Sequence, residues 1–418
     1  MEIQIEKLAF GGAGIGRTAG KVVFVRGGLP GDVVKVRITK EKGSYAEAEI
    51  EEIVSSSPER TKPPCPVFGK CGGCQWQHLT YFAQLKAKEG ILRETLERIG
   101  GLKYIEIDPI VPSPKEYGYR DRVTLSIRFE KGSYLIGYHE ERSRRQIEIE
   151  GCPIASKPID ETIFRLSKSL SSMSTARYLL EKVHITSDEK IAYITLVPGW
   201  EEDPKRLNSF RNQLKKSLET EIVCIAGDDE REYEFTILGL KFYSIPSLFI
   251  QANREIHERL VETLLEWSDL KGDERVLDLY SGIGNFSLHL AKRCEEVVGV
   301  DVSAKAVNHA KKSAEANSIT NVAFDASPSE LFIGESVKRG DRFDLIVLDP
   351  PREGAKDILK ELAELSPKRI IYVSCDPPTL ARDLKTLREM GYRTLKIRPF
   401  DMFPQTYHIE SIALLMKI

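Results

Sequence analysis

A cysteine that follows a strand-like run is the first candidate for chemistry. The apolar run Arg369–Ser374 is followed by Cys375, and a helix-like run begins within a few residues. A helix N-terminus favours thiolate over thiol and lowers the pKa of a cysteine, which makes the sulfur a better nucleophile. Without other chemical groups nearby, a cysteine at a strand end is more often a buried and inert thiol. Cys375 is therefore a nucleophile candidate that depends on its neighbours.

An acid and two glycines follow another predicted strand. The sequence DLYSGIGNF begins at Asp278 and contains Gly282 and Gly284, and a helix-like run follows it. A dinucleotide site would have a third glycine at position 287, where the chain has Ser287. An acid before the glycines is typical of S-adenosylmethionine sites, where it can face the methionine ammonium. Asp301 ends the next strand and can accept the ribose hydroxyls, so the pattern indicates a cofactor site rather than a structural turn.

A second acid, Asp349, ends a later strand and opens the sequence DPPR. Ligands of open parallel sheets lie at such strand ends. Enzymes that methylate exocyclic amines have an aromatic residue after the two prolines, and Arg352 at that position argues against this reaction. Enzymes that methylate carbon 5 of cytosine in RNA usually have a cysteine beside a proline here, where this chain has Pro351. A purely structural proline turn is the alternative.

Four cysteines form a three-plus-one pattern in a chain with seven cysteines. Cys65, Cys71 and Cys74 lie close together, and Cys152 follows much later. Four thiolates suit zinc or an iron–sulfur cluster, and zinc ribbons usually have two matched pairs. The layout is closer to an iron–sulfur ligand set, and the spacing alone leaves the metal open.

The segment DMFPQTYHIE, which begins at Asp401, connects the last two predicted strands near the same sheet edge. His408 or Glu410 within it can serve as a general base. Without such a context, both residues are ordinary polar side chains of a loop.

Strand-like and helix-like runs alternate from about residue 246 onward, which predicts an α/β fold with a Rossmann-like, doubly wound parallel sheet. Only a short loop joins the last two strands, so they are expected to pair antiparallel. The strand candidates are 275–280, 297–301, 321–325, 343–349, 369–374, 392–398 and 409–416.

The first 57 residues contain short alternating runs separated by turns, which predict a small OB-like β-barrel. The glycine run that begins at Gly11 is interpreted as a turn, because no helix pattern follows it. The basic residues of this segment are either solvated surface or phosphate contacts. They are Lys35, Arg37, Lys40 and Lys42.

A connector rich in Pro, Gly and Cys follows, and then an amphipathic helix with Leu85, Leu92, Leu96 and Ile99 on one face.

The middle region mixes strands and helices and interleaves cations with aromatic side chains. Such a mixture suits stacking on unpaired bases, and ordinary surface charge is the alternative. The residues concerned are Arg120, Arg122, Arg128, Lys131, Arg142, Arg144, Arg145, Tyr117, Tyr119, Phe129, Tyr134 and Tyr138.

Composition limits the class of protein. The chain has 418 residues, a formal net charge of −2 and 41% apolar residues, so it has material for several cores and no global attraction to polyanions. No run of about 18 apolar residues predicts a membrane span, and no secretory signal precedes the barrel, so a cytoplasmic protein without a membrane partner is expected.

Together, these five motifs resemble those of the RNA uracil-5-methyltransferase family, and the N-terminal segment resembles the TRAM domain, an RNA-binding barrel. The resemblance covers essentially the whole chain, in the same order. Asp376 departs from the family, which usually has asparagine after the cysteine, and so does the doubled proline Pro377-Pro378.

The resemblance implies a role for each motif. Cys375 would add to carbon 6 of a uracil, and Glu410 would remove the proton from carbon 5. The four cysteines Cys65, Cys71, Cys74 and Cys152 would hold a four-iron four-sulfur cluster. S-adenosylmethionine would contact Gln251, Asp278, Tyr280, Gly282, Gly284, Asp301, Asp325 and Asp349. Two of these have an alternative: Asp349 would contact the uracil instead, and Gln251 would be a polar residue near a helix cap without a ligand.

The expected domains are a TRAM barrel (1–57), a mixed α+β central domain with the iron–sulfur cluster (58–245) and a methyltransferase domain (246–418). The expected substrate is large-subunit ribosomal RNA, with the T-loop uridine of transfer RNA as second choice, and no protein partner is implied. The alternatives are a non-catalytic iron–sulfur RNA-binding protein and a methyltransferase for a protein or a small molecule. The intact Cys375 and Glu410 argue against the first, and the barrel and the Arg/Tyr-rich middle region argue against the second.

Overall fold

A computed structural model of the chain describes residues 1–18, 20–130, 132–141, 143–172, 180–188, 190–198, 204–218 and 232–418. Two compact units emerge from the internal contacts. The first contains Met1–Ile91, Pro114–Arg231 and Phe403–His408, and the second contains Leu92–Ser113, Glu232–Met402 and Ile409–Ile418. None of the helices in these described ranges combines the length and the apolar character that a membrane crossing requires.

The N-terminal strands close into the predicted barrel, in the order β1-β2-β3-β5-β4. Alternating apolar side chains such as Ile3, Val23 and Val34 fill its interior, as the period of two predicts. The glycine run forms a turn before β2, which confirms that interpretation. The strands are β1 (Glu2–Leu8), β2 (Gly14–Thr18), β3 (Lys21–Arg26), β4 (Val33–Glu41) and β5 (Tyr45–Ser55).

The basic residues of β4 face glutamates of the neighbouring strand β5. Lys35 pairs with Glu52 at 2.7 Å, Arg37 with Glu49 at 2.8 Å and Lys40 with Glu47 at 3.2 Å. These are exposed cross-strand pairs, which contribute little to stability. The solvated-surface interpretation therefore accounts for these three cations.

Helix α1 (Tyr81–Arg98) follows the connector, and the two-residue strand β6 (Glu106–Ile107) comes after it. The helix is amphipathic as predicted, but its buried stripe differs from the predicted face. Leu92 and Leu96 are buried, Ile99 is 44% exposed, and the polar residues Gln84 and Lys88 are fully buried. Propensity and periodicity give no reason to expect a buried lysine, because its burial requires specific partners.

The middle of the first unit is a five-stranded antiparallel sheet in the order β11-β10-β7-β8-β9, covered by two helices. Tyr119 and Tyr134 belong to its core, and Tyr117, Phe129 and Tyr138 pack against that core. All five aromatic residues predicted to stack on bases thus pack in or against this core, while Lys131 and Arg142 lie outside the described residues. The elements are β7 (Arg122–Glu130), β8 (Ser133–His139), β9 (Gln146–Glu148), α2 (Lys157–Ser172), β10 (Leu180–Ser187), β11 (Ala192–Pro198) and α3 (Pro204–Leu218).

The second unit is built on an eight-stranded sheet in the order β16-β15-β14-β17-β18-β20-β19-β6, beside the hairpin β12–β13. The strands from β16 to β18 run parallel, and β20 is antiparallel to both β18 and β19, which confirms the predicted pairing. Strand β17 is buried along its whole length, as central strands of doubly wound sheets are.

The helices of this unit connect the strands in the predicted alternation. The elements are β12 (Tyr233–Ile237), β13 (Leu240–Ser244), α4 (Arg254–Ser268), β14 (Arg275–Leu279), α5 (Asn285–Ala291), β15 (Glu296–Val300), α6 (Ala304–Ala316), β16 (Val322–Asp325), α7 (Ser329–Arg339), β17 (Leu345–Leu348), α8 (Leu359–Leu365), β18 (Arg369–Ser374), α9 (Pro377–Glu389), β19 (Tyr392–Phe400) and β20 (Glu410–Lys417). The parallel strands place Asp278, Asp301, Asp325, Asp349 and Cys375 at their carboxyl ends.

Candidate active site

Asp278 lies near the end of β14 and is fully buried. Its Oδ2 accepts a hydrogen bond from the Ser287 hydroxyl, and no partner for its Oδ1 is found among the described residues. Burial, with Asp349 and Asp301 nearby, raises the pKa of this carboxyl to about 7. A buried acceptor without a donor is unfavourable, so the pocket fits a ligand that brings a cationic or N–H group.

The turn after β14 brings backbone into the same region. Tyr280, Gly282 and Gly284 all have positive φ, at 63°, 55° and 83°. A Cβ on Gly284 would lie 2.9 Å from the Phe324 ring, so this position requires glycine for space as well as conformation. Positive φ costs free energy at Tyr280, and such strain concentrates at functional turns.

Asp301 is held by two backbone donors. The N–H of Gly282 donates to Oδ2 at 2.9 Å, and the N–H of Ser303 donates to Oδ1 at 2.8 Å. Each carboxylate oxygen keeps a lone pair, so both can still accept a hydroxyl of a ligand. Asp301 is therefore oriented to bind a diol.

Two further predicted cofactor contacts lie at the boundaries of other elements. Asp325 ends β16 and is exposed, with the Ser327 hydroxyl on its Oδ1. Gln251 is half-buried and precedes Asn253, whose side chain caps α4 by accepting the Ile256 N–H. Gln251 thus lies next to a helix cap, as the sequence also allowed.

Cys375 follows β18 directly and is half-buried. Burial, together with Glu410 and Asp349, raises the pKa of its thiol to about 12, and Arg352 opposes this shift. The expectation of a lowered pKa at the helix N-terminus is therefore wrong for the ligand-free protein. Desolvation and the nearby carboxyl groups outweigh the guanidinium.

The first residues of α9 limit the hydrogen bonds that the helix N-terminus can donate to the Cys375 sulfur. Asp376 is the N-cap and accepts the Thr379 N–H at 3.0 Å. Pro377 and Pro378 occupy the first two helical positions and have no N–H. The doubled proline is thus accommodated where helical N–H groups lack intrahelical partners, and it removes the donors that would stabilise a thiolate.

Glu410 begins β20, is only 3% exposed, and belongs to the same group. Burial, together with Asp349, raises the pKa of Glu410 well above its usual range, and Arg352 lowers it. Burial also raises the pKa of Asp349 to about 7. The site therefore brings a thiol, two carboxyls and one guanidinium together, and a carboxyl with a raised pKa is suited to proton transfer.

The four predicted metal-binding cysteines interact electrostatically in the first unit. Burial, together with Cys152, Cys71 and Cys65, raises the pKa of Cys74 to about 12. Tyr138 also donates a hydrogen bond to the Cys152 sulfur at 3.7 Å. Across the described ranges, however, no group of three or more His, Cys, Asp or Glu side chains is arranged to hold a metal ion.

Of the two remaining cysteines, Cys294 is buried, and Cys224 lies outside the described residues.

A cavity of about 930 Å³ lies in the first unit beside the barrel. Four half-buried aromatic side chains line it, and two of them, Phe24 and Tyr45, meet edge to face with ring centroids 5.7 Å apart. The lining includes Phe10, Phe24, Tyr45, Phe68, His78, Arg26 and Arg60. Sequence reasoning had not singled out this set, because its members come from separate turns and strands.

The doubly wound sheet has an acid and a glycine turn at the end of β14, and it carries Cys375 and Glu410 on the adjacent strands β18 and β20. This combination defines an S-adenosylmethionine-dependent methyltransferase. The family model described as tRNA (Uracil-5-)-methyltransferase matches residues 80–418, and that of the TRAM domain matches residues 1–50. The chain therefore belongs to the tRNA (uracil-5-)-methyltransferase family, with an N-terminal TRAM domain, and methylates carbon 5 of uracil in RNA with S-adenosylmethionine.

Similar proteins extend along the whole chain. An RNA methyltransferase of Clostridium tetani, named as uncharacterized, is 35% identical over 97% of this chain and 93% of its own. The 23S rRNA (uracil(1939)-C(5))-methyltransferase RlmD of Aeromonas hydrophila is 34% identical over 99% and 96%. The crystal structure of a Pyrococcus abyssi tRNA (uracil-54, C5)-methyltransferase with S-adenosyl-L-homocysteine is 28% identical, covers all of both chains and has a TM-score of 0.73.

Proposed function

We propose that this enzyme methylates a uridine of large-subunit ribosomal RNA. Relatives named for 23S rRNA from Aeromonas hydrophila and Shewanella amazonensis are 34% identical over 99% of the chain. The second candidate is the T-loop uridine of transfer RNA, because the neighbour named for tRNA matches the fold over its full length at 28% identity.

The proposed chemistry starts from the low nucleophilicity of uracil carbon 5. The Cys375 thiolate adds to carbon 6, and the C5–C6 π electrons move into an enolate. Carbon 5 then takes the methyl group from the sulfonium of S-adenosylmethionine, whose C–S electron pair stays with S-adenosylhomocysteine. Glu410 removes the proton from carbon 5, and the released pair restores the double bond and expels the Cys375 sulfur.

The observation that carries this mechanism is the interaction of Cys375 with Glu410, Asp349 and Arg352 at the end of β18. Cys375 is a thiol at rest, so its proton has to leave before attack. Asp349 is the acceptor in its surroundings, because Glu410 has to remain unprotonated to take the proton from carbon 5. The raised pKa values of both carboxyls make them stronger bases than ordinary carboxylates. Arg352 favours the anionic forms of both Cys375 and Glu410.

The cofactor contacts follow from the chemistry of the pocket. Asp278 offers its unpartnered oxygen to the methionine ammonium, and Asp301 accepts the ribose hydroxyls. Asp349 contacts the cofactor or the uracil ring. The remaining proposed contacts, each supported by its position on the same sheet edge or beside it, are Gln251, Tyr280, Gly282, Gly284 and Asp325.

The target uridine has to leave its stack to reach Cys375, so we expect a flipped base or an unpaired loop. Residues 1–57 are proposed as an RNA-binding barrel, 58–245 as a central domain and 246–418 as the methyltransferase domain. The aromatic cavity beside the barrel supports contact with unpaired bases.

We further propose a four-iron four-sulfur cluster on Cys65, Cys71, Cys74 and Cys152. The donor chemistry fits, since four thiols interact within one unit. Their positions do not form a metal-holding group in this structure, so the thiols have to move closer around a cluster. The cluster would order the connector, and no step of methyl transfer passes through it. Anaerobic purification tests this: about four irons per chain are expected, and zinc or no metal overturns it.

The catalytic proposal is tested with RNA that carries 5-fluorouridine at the target. Carbon 5 then has no proton to lose, so wild-type protein should form a stable covalent adduct and Cys375→Ala none. Cys294→Ala is the matched control, because Cys294 is a buried thiol outside this group. An adduct in Cys375→Ala would remove Cys375 from its role, and no adduct with wild-type protein would favour a non-catalytic RNA-binding protein.

The substrate is identified by mass spectrometry of ribosomal and transfer RNA from a strain without the gene. Loss of a 5-methyluridine from 23S rRNA is expected. Loss from transfer RNA alone would overturn the ribosomal assignment and leave the reaction intact.

A further inference from the structure

Three successive carbonyl groups just before Glu410 are held by donors within the first unit. The buried ammonium of Lys88 donates to the Phe403 carbonyl at 3.0 Å. The Tyr119 hydroxyl donates to the Pro404 carbonyl at 3.0 Å. The backbone N–H groups of Gln75 and Trp76 both donate to the Gln405 carbonyl, at 3.1 and 3.0 Å. The segment 403–405 is thus fixed at every residue.

Gln84 completes this arrangement through its side-chain amide. Its Oε1 accepts the Gln405 N–H at 2.9 Å, and its Nε2 donates to the Gln405 Oε1 at 2.9 Å. Nε2 also donates to the Leu79 carbonyl at 2.9 Å, which fixes the orientation of the amide. Gln84 and Lys88 are separated by one turn of α1, so a single helix face holds both ends of the segment.

The backbone of the segment explains why such anchoring is needed. Gln405 has φ +69°, a left-handed conformation that an L side chain rarely adopts, and it is only 1% exposed. Conformations of this kind persist only where the surroundings determine them. A fully buried lysine is also unfavourable without specific contacts, and Lys88 has its ammonium 5.9 Å from the Trp76 ring centroid as well as on the Phe403 carbonyl.

We propose that Gln84 and Lys88 are positioning residues for the base of the reaction. They hold segment 403–405, and the chain runs from it through a few residues to Glu410 at the start of β20. Because only four residues separate the segment from Glu410, holding the segment restricts where the Glu410 carboxylate can meet the proton on carbon 5. This inference rests on the proposed role of Glu410.

If Gln84 and Lys88 position the base, their variants should show a kinetic effect that a purely structural role would not produce. Addition of Cys375 and methyl transfer precede proton removal. A displaced Glu410 therefore slows only the last step, and the methylated covalent RNA–protein intermediate accumulates on ordinary uridine RNA. General loss of structure would instead reduce adduct formation and turnover together.

The experiment uses full-length protein with its metal content retained and 23S rRNA transcript as the probe. Lys88→Met and Gln84→Leu are compared with Lys88→Arg, which keeps a donor, and with Lys86→Met on the exposed side of the same helix. Denaturing gels quantify the covalent complex, and steady-state kinetics give kcat and the KM for S-adenosylmethionine. Thermal unfolding checks that each variant folds.

We expect kcat to fall about tenfold or more in Lys88→Met and Gln84→Leu, since small displacements of a reacting group have effects of this size. Their KM should remain unchanged and their covalent complex should accumulate, while Lys88→Arg recovers part of kcat and Lys86→Met resembles wild type. Lowered kcat without accumulation of the complex would overturn the inference, and so would an unchanged kcat.

Glu410→Gln, measured in parallel, separates this inference from the proposed function. If Glu410→Gln accumulates the complex and the α1 variants do not, Gln84 and Lys88 are not positioning residues, and Glu410 remains the proposed base. If Glu410→Gln turns over normally, Glu410 is not the base and both are wrong. For a variant that does not fold, Gln84→Glu serves as the substitute, because it keeps the acceptor for the Gln405 N–H and loses the donor.

Discussion

Asp376 caps helix α9 by accepting the Thr379 N–H at 3.0 Å, directly beside Cys375 in the chain. Asparagine, the residue that the resemblance led us to expect here, caps helices equally well, so the departure preserves the helix. The difference is the negative charge, which adds to burial, Glu410 and Asp349 in raising the pKa of the Cys375 thiol. The chain thus keeps the cap while holding the nucleophile protonated at rest.

Substitution at Asp376 should separate capping from charge. Asp376→Asn keeps the cap and removes the charge, so the unfolding free energy should stay unchanged and alkylation of Cys375 should begin at lower pH. Asp376→Ala loses both, and we expect it to lose about 1 kcal/mol of stability. Denaturant unfolding and iodoacetamide kinetics measure the two effects. Equal destabilisation by both substitutions would contradict the capping role.

Replacement of Arg352 should move the pH dependence of the reaction. The guanidinium lowers the pKa of both Cys375 and Glu410, so its loss raises both. The reaction needs the deprotonated forms, which exist above their pKa values. In Arg352→Gln the ascending limb of kcat should therefore move to higher pH. If the limb moves by one pH unit, the rate at a fixed pH on that limb should fall about tenfold.

Arg393→Gln is the matched control, because Arg393 is exposed on β19. A profile of Arg352→Gln that overlays the wild type, with only the height reduced, would mean that Arg352 binds substrate and does not tune the site.

Asp278→Asn should stabilise the ligand-free protein and weaken cofactor binding. The pKa of Asp278 rises from 3.8 to about 7 on folding, so the folded state retains a proton that the unfolded chain releases. The contribution of Asp278 to stability is fully present below the unfolded pKa of 3.8, and it is lost as the pH rises through the folded pKa of about 7. At about pH 8 the substitution should add at most about 4 kcal/mol, and near pH 4 very little.

Thermal unfolding at the two pH values and calorimetric titration of S-adenosylhomocysteine measure these effects. The exposed Asp273→Asn serves as control. Unchanged affinity for the cofactor in Asp278→Asn would remove Asp278 from the set of cofactor contacts.

The aromatic cavity beside the barrel should contribute to RNA binding. Tyr45→Ala removes the ring that packs edge to face on Phe24, and stacking of one base typically contributes a tenfold or larger gain in affinity. We expect Tyr45→Ala to bind the 23S rRNA transcript about tenfold more weakly by filter binding. Phe164→Ala, which removes a half-exposed ring of α2 that does not line the cavity, should bind normally. Equal affinity of both variants would exclude base stacking here.

The sequence alone determined the architecture and the candidate chemistry, because both depend on local pattern. Alternation at Val23 and Val25 predicts the barrel, and the alternating runs after residue 246 predict the doubly wound sheet with its antiparallel last pair. Parallel strands end at one edge, so the types and places of Asp278, Asp301, Asp349 and Cys375 followed from the strand assignment.

The tertiary structure decided the burial and the protonation of the side chains in the site. Sequence suggested a lowered pKa for Cys375 from the helix that follows it, but the pKa depends on burial and on Glu410 and Asp349, which come from other strands. It also decided that Gln84 and Lys88 are buried against a segment far along the chain. Desolvation and long-range hydrogen bonds depend on distances that no local pattern specifies, and that is why these features became visible only in the folded chain.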